Sequence, residues 1–348
     1  MKKLKIVLIS FLFILVSACV SDDDVAEVPL FEGSSTELLE GVRKFPAFTD
    51  YEDVLELKNL QETPDFVSFA DLVNSPKNSK SEIARVWQED DFLRDFSDAY
   101  VLKILDSNGM VIIGDFLIKL DFNSKKAFVT KNLGRISNFK EGQYDFKDVS
   151  EYDFEDDVLE DLFGDTYSGN EVRNKGGMED ARLNGTGCPG SFSPGSTFPS
   201  SIGDNCDSRK CQWTSIYSEA GWSYKAEAKH VYQAAAIYFR LKSEIAHFKN
   251  NQSNSTGWST EPSPGMTITY WGSFKPKNRS TVNISSCYDQ CQGCGPIIAN
   301  RDKVQKIHWE AGRRLTSYNL YGIFEVHLGG NHAQSGYPDV FQLHNIQR

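Results

Sequence analysis

The spacing of apolar and polar positions changes along this chain, and the changes divide it. From Ser35 onward, Leu38, Leu39 and Val42 fall at helical spacing and predict a short helix. Thr49-Asp50-Tyr51-Glu52 has the form of a capping box. Val54, Leu57 and Leu60 follow it, so a helix starts near residue 50. Ile83, Val86 and Trp87 share one stripe and predict another helix from Ser81. The period then shortens. Residues 101–105 are an apolar run, Asp106-Ser107-Asn108-Gly109 is a hairpin turn, and residues 110–113 form the return strand. Phe116, Ile118, Leu120 and Phe122 alternate with Leu117, Lys119 and Asp121. Asn123-Ser124-Lys125-Lys126 then turns the chain into Ala127-Phe128-Val129. Helices followed by hairpins read as an α+β module over residues 35–165.

Beyond it, residues 166–205 collect Gly, Ser and Pro, which predicts a linker or irregular loop. Residues 206–348 read as mainly antiparallel β and sandwich-like. Ala235, Ile237, Phe239, Leu241 and Ile245 alternate with Ala236, Tyr238, Arg240, Lys242 and Glu244. Ile237, Leu241, Ile245 and Phe248 also fit a helical stripe. The β-favouring Tyr232, Tyr238, Phe239 and Phe248 decide for a strand. Residues 266–271, 303–309 and 318–328 are further strands.

The first residues are of another kind. Lys2, Lys3 and Lys5 precede an apolar run from Val7 to Val16. That run is too short to span a bilayer, which takes about 20 residues. Val16-Ser17-Ala18-Cys19 follows. This segment resembles the lipobox of bacterial lipoproteins. The resemblance implies a signal peptide over residues 1–18 and cleavage before Cys19. Acyl chains, palmitate among them, would sit on the Cys19 sulfur and amine and hold the protein to outer-membrane lipid. Val20-Ser21-Asp22-Asp23-Asp24 begins an acidic tether over residues 19–34 and resembles the surface-export signal of Bacteroidetes lipoproteins. The run from Leu105 to Asp115, paired with a later Trp-rich β region, looks like uncharacterised surface lipoproteins of the same group. That likeness covers about residues 40–130 and part of 225–280, and it implies location and architecture without an activity.

Charge sharpens the division. The 348 residues carry a formal net charge of -11. Residues 19–180 hold -20 of it, while residues 181–348 stand at +6. The acidic balance disfavours a dedicated nucleic-acid binder, and the ordinary apolar content excludes whole-chain disorder and a multi-span membrane protein. Residues 141–165 hold 11 acids interleaved with aromatic and aliphatic side chains. The segment is expected to lie exposed on the first module, or else to act as a docking strip for the basic second one. With Cys19 lipidated, Cys188, Cys206, Cys211, Cys287, Cys291 and Cys294 remain. An even set in an exported chain reads as a disulfide framework with 15 possible pairings, Cys206–Cys211 being one plausible local pair.

Candidate chemistry is sparse. Cys287-x3-Cys291-x2-Cys294 has the spacing of a radical iron–sulfur motif, which export argues against. Four of the thiolates are compatible with zinc, and Cys291 and Cys294 with a redox pair, yet disulfides are the default, and no metal or cofactor is expected. All six histidines lie in the second module and are expected to be scattered over its surface. The competing reading is a hydrolase site for extracellular polymer built from Glu310, Glu325, His327 and His332. Five of the six tryptophans are also in this module. Flat rings stack on sugar faces, so Trp258 and Trp271 are the candidate ligand contacts. The expectation is a surface lipoprotein that binds an extracellular glycan or protein without chemistry. A structural or defence role is the third possibility.

Overall fold

A computed structural model describes residues 36–74, 87, 90–168, 205–219, 221–251, 257–286, 300–327 and 339–347. The signal peptide, the tether, most of the proposed linker and Cys188, Cys287, Cys291, Cys294 and His332 lie outside them.

The N-terminal segment builds a six-stranded sheet in the order β1 to β6: β1 (Glu37–Leu39), β2 (Val42–Phe45), β3 (Met110–Ile113), β4 (Phe116–Asp121), β5 (Lys126–Thr130) and β6 (Ser150–Asp153). Only the β2–β3 pairing is parallel. The predicted helix at Ser35 is instead the β1–β2 hairpin. Glu40 and Gly41 both take positive φ and close it, an option that the apolar spacing did not encode. Helix α1 (Phe48–Leu57) starts where expected, but by another device. Asp50 accepts the Ala47 N–H at 2.9 Å, whereas Glu52 turns into the interior. Helices α2 (Phe69–Asn74), α3 (Asp91–Phe96) and α4 (Val101–Ile104) follow. The last overturns the strand expected over 101–105: one helical turn buries Val101, Leu102 and Ile104. The Asp106–Gly109 turn forms, but it leads from α4 into β3 rather than closing a hairpin, with Asp106 accepting from Asn108 and Met110 N–H and Gly109 at φ +80°. Trp87, on the helix expected from Ser81, is helical and buried. Helix α6 (Val158–Ser168) joins the helices on one face of the sheet, whereas α5 (Ile136–Lys140) packs Ile136 and Phe139 on the other face, against Val42, Met110, Ile112, Leu117 and Phe128.

Among its described residues the C-terminal segment forms two antiparallel sheets. One runs β11 (Ser259–Thr260), β10 (Phe239–Asn251), β9 (Trp222–Ala234), β8 (Lys210–Glu219), β7 (Asn205–Cys206), with β14 (Lys303–Ala311) also on β10. The other runs β13 (Val282–Ser285), β12 (Met266–Pro276), β15 (Leu315–Val326), β16 (Asp339–Gln347). Leu241, Ile245, Ile268, Tyr270, Leu320 and Phe324 from both sheets share one core. The alternation over 235–245 is therefore a strand from Phe239, preceded by a turn over 235–238.

That turn joins the two segments. Ala235, Ala236, Ile237 and Tyr238 are fully buried in the N-terminal core beside Phe96, Val158 and Leu159. The Tyr51 hydroxyl donates to the Ile237 carbonyl at 3.0 Å. Val158 N–H donates to Ala236 O, and Ala236 N–H to Phe154 O. The described residues accordingly form one compact unit. Tyr51→Phe leaves that buried carbonyl one donor short, and thermal or urea unfolding should show a loss of about 1–2 kcal/mol.

The acidic strip is split between roles. Phe154, Val158 and Leu159 are buried, while Glu155 pairs with Arg209 and Glu160 with Lys277. Deeper inside, Glu52 holds Arg313 and Arg279. The charge asymmetry of the sequence is thus partly consumed in ion pairs between the two segments.

Candidate functional site

The strand period builds an ionic layer. On β10, Leu241, Ser243 and Ile245 face the sandwich core, so Arg240, Lys242 and Glu244 must face the helices. Register brings Gln233 opposite Arg240, Val231 opposite Lys242 and Lys229 opposite Glu244. Lys210 stands opposite Val231 on the other side. Helix α3 and the turn after it cover this face and supply Asp95 and Asp98.

Asp95 pairs with Lys229 and, at 3.2 Å, with Lys210. Asp98 meets Arg240 at 2.8 Å, Lys242 at 3.5 Å and Lys303 at 3.2 Å. Glu244 meets Lys242 at 2.9 Å, Lys229 at 3.0 Å and Lys303 at 3.1 Å. Three carboxylates thus face five cations. Burial opposes the charge on Glu244 and Asp98, but the surrounding cations hold both carboxyls well below the usual range. Burial and the neighbouring Arg240 push Lys242 down to about 8.

At one edge this layer opens into a cleft of about 540 Å³ between α3 and strands β8 and β9. Asp95, Gln233 and Tyr232 are buried in its wall, and Asp91, Lys125, Glu155 and Arg209 stand exposed or half-exposed around it. Phe92, Gln212 and Thr214 complete the polar and aromatic lining.

On the opposite face of β9–β10 lies a second polar group. His230 Nδ1 is 2.8 Å from Ser243 Oγ, which is 2.8 Å from His308 Nε2. The register slips between Leu241 and Lys242, whose partners are Trp309 and Ile307, and this bulge leaves His308 free to reach Ser243. The ring nitrogens facing away, His230 Nε2 and His308 Nδ1, are buried without a partner. Burial pushes His230 down to about 3, and His308 well below its ordinary value. His247 is also buried, stacked on Tyr224. The expectation of surface histidines fails for His230 and His247, which are buried, while His308 is partly buried; His230 and His308 project onto Phe324 and Tyr270 of the facing sheet.

The residues singled out from the sequence do not converge. Glu310 is buried near the end of β14, held by Tyr238 Oη, Lys58 and the Tyr100 N–H. Glu325 lies near the far end of β15, roughly 33 Å along the strand from Leu315. Burial pushes its carboxyl up. His327 follows that strand and donates its backbone N–H to Gly265 O. Trp258 is 37 % exposed, with Lys225 Nζ 5.0 Å from its ring centre. Trp271 stacks on Tyr321 in the other C-terminal sheet, centroids 5.7 Å apart. Trp213 and Trp309 pack against the core. None of these residues lines the cleft. Sequence reading missed Asp95, Gln233 and the ionic face of β10, and it placed Arg209 and Lys210 beside the tryptophans rather than in this cleft. The signal was present as charged residues alternating with Leu241, Ser243 and Ile245, but it reads equally as a solvated strand face.

Among the described residues, no cluster of His, Cys, Asp and Glu could hold a metal ion, and no helix is long and apolar enough to cross a membrane. No protein-family model matches the chain, and neither the curated proteins nor the solved structures include a significant match.

Proposed function

We propose that this protein is a lipid-anchored surface protein of a Bacteroidetes-type bacterium that binds an extracellular glycan, without turning it over, in the cleft between α3 and β8–β9. The observation that carries the reading is the lining of that cleft. Carboxylates, cations, amides and the Thr214 hydroxyl stand beside Phe92 in a space of about 540 Å³. Such a mixture offers donors and acceptors to sugar hydroxyls and a ring face to a pyranose, and the volume is typical of a small-molecule site. The separate placement of Glu310 and Glu325 favours binding over hydrolysis.

The binding test is a glycan array probed with the mature protein, repeated with two sets of variants. Signals lost in Phe92→Ala and Lys210→Ala support the cleft. Signals lost only in Trp258→Ala and Trp271→Ala would move the site to those tryptophans, and an array without signal would refute glycan binding.

Anchoring rests on Cys19 and the segment before it. Cys19→Ala should move the protein from the membrane fraction to the soluble fraction, and persistence with membranes would contradict the anchor. The disulfide framework belongs to the same reading. Cys206 and Cys211 are register partners on β7 and β8, and Cys211 is fully buried. These facts support a Cys206–Cys211 bridge. A bridge of this kind is common in exported chains.

A further inference from the structure

Gln233 is the most informative residue of the cleft wall. It is 2 % exposed. Its Oε1 accepts from Arg240 Nε at 2.9 Å and from Arg240 Nη2 at 2.6 Å. Those bonds fix the orientation of the amide, since the flipped form would set donors against the guanidinium. The Nε2 group is therefore a buried double donor, and it has no acceptor. A buried donor in that state is destabilising unless something else bonds it.

The charge around it has the matching sign. Lys210 Nζ lines the same cleft, and the layer behind holds five cations to three carboxylates. The exposed rim is different. Asp90 is engaged by the Leu93 N–H and Lys125, and Glu155 by Arg209, while Asp91 is largely exposed with Arg94 beside it. Gln233 Nε2 and Lys210, the latter beside Asp95, are the donors of the inner wall, the surplus of positive charge lies in the layer behind it, and Asp91 and Glu155 are acceptors at a mouth that also carries Lys125 and Arg209.

We propose that the cleft recognises a carboxylate-bearing sugar, a uronic acid residue of an acidic glycan. Its carboxylate accepts from Gln233 Nε2 and Lys210 Nζ, and its hydroxyls donate to Asp91 and Glu155. This assignment rests on the glycan-binding reading above and narrows it. The acidic segment does contribute Asp90, Asp91, Asp95 and Glu155 to the cleft, but Lys125, Arg209 and Lys210 line it too, and Asp95, Asp90 and Glu155 are each paired with one of the neighbouring cations.

The test uses calorimetry on the mature protein with a set of uronate-containing oligosaccharides, each paired with its methyl ester. Esterification keeps the shape and removes the charge. The acids should bind at least about tenfold more tightly than the esters, the ratio that one charge-assisted hydrogen bond supplies. Gln233→Glu keeps an acceptor for Arg240 but puts a carboxylate where the donor was. It should abolish the preference for the acid while leaving the melting temperature unchanged or raised. Esters binding as tightly as acids would overturn the uronate assignment and leave glycan binding standing. Binding of neither form would overturn both. A Gln233→Glu protein that keeps the full preference for the acid would also overturn the assignment.

Discussion

Glu244→Gln is expected to lower the unfolding free energy by about 3–5 kcal/mol at pH 7, the range for removing one partner from a buried ion pair. The substitution keeps size and shape, so the effect isolates charge. Three lysines lie within 3.1 Å of the Glu244 carboxylate, whose side chain is 6 % exposed. Without it, Lys229 retains Asp95, and Lys242 and Lys303 share Asp98, which Arg240 already engages. The double replacement Lys242→Met with Glu244→Leu removes one charge of each sign. It should be less destabilising than Glu244→Gln alone, since a well-packed apolar pair often substitutes for a buried ion pair. Urea unfolding of the three proteins measures this. A loss below about 1 kcal/mol in Glu244→Gln, the scale of surface pairs, would show that water reaches the layer and that its burial is overstated.

Acid should destabilise the protein through His230 and His308. An unfolded histidine takes up its proton near pH 6.5. In the fold, burial holds His230 at about 3, and burial together with His230 and Lys306 holds His308 down. The groups around them offer no compensating anion among the described residues: Tyr270 packs on His308, and Phe324 and Gly322 pack on His230. The unfolded state binds more protons below pH 6.5, so stability is complete above that value and falls as pH drops towards 3. The slope is about 1.4 kcal/mol per pH unit for each histidine. His230 alone should lose roughly 3 kcal/mol between pH 6.5 and 4.5. His230→Gln should flatten that part of the profile. A stability curve without slope between pH 6.5 and 4.5 would contradict the dry His–Ser–His arrangement.

Much of the β architecture was legible in the sequence. Met266–Pro276, Lys303–Ala311 and Leu315–Val326 follow the strands read from apolar runs and Gly/Pro punctuation. Local chemistry was less reliable where few residues decide. A positive φ at Glu40 and Gly41 makes a hairpin from a helical spacing, and a single helical turn at Val101 buries what an apolar strand would bury equally well. The site was hidden for a different reason. Arg240, Lys242 and Glu244 have the pattern of an exposed strand face. They become interior only because Asp95 and Asp98, more than 140 residues earlier, are laid over them. Charge segregation along the chain was the one legible sign of that cover, as opposite charge in two segments is what their contact requires.

Hydrogen exchange of the mature protein with and without a bound glycan should show added protection at residues 90–95, 209–214 and 231–234, the three stretches that wall the cleft. Protection confined to the Trp258 edge or to the sheet carrying Trp271, with those three stretches unchanged, would contradict binding in the cleft.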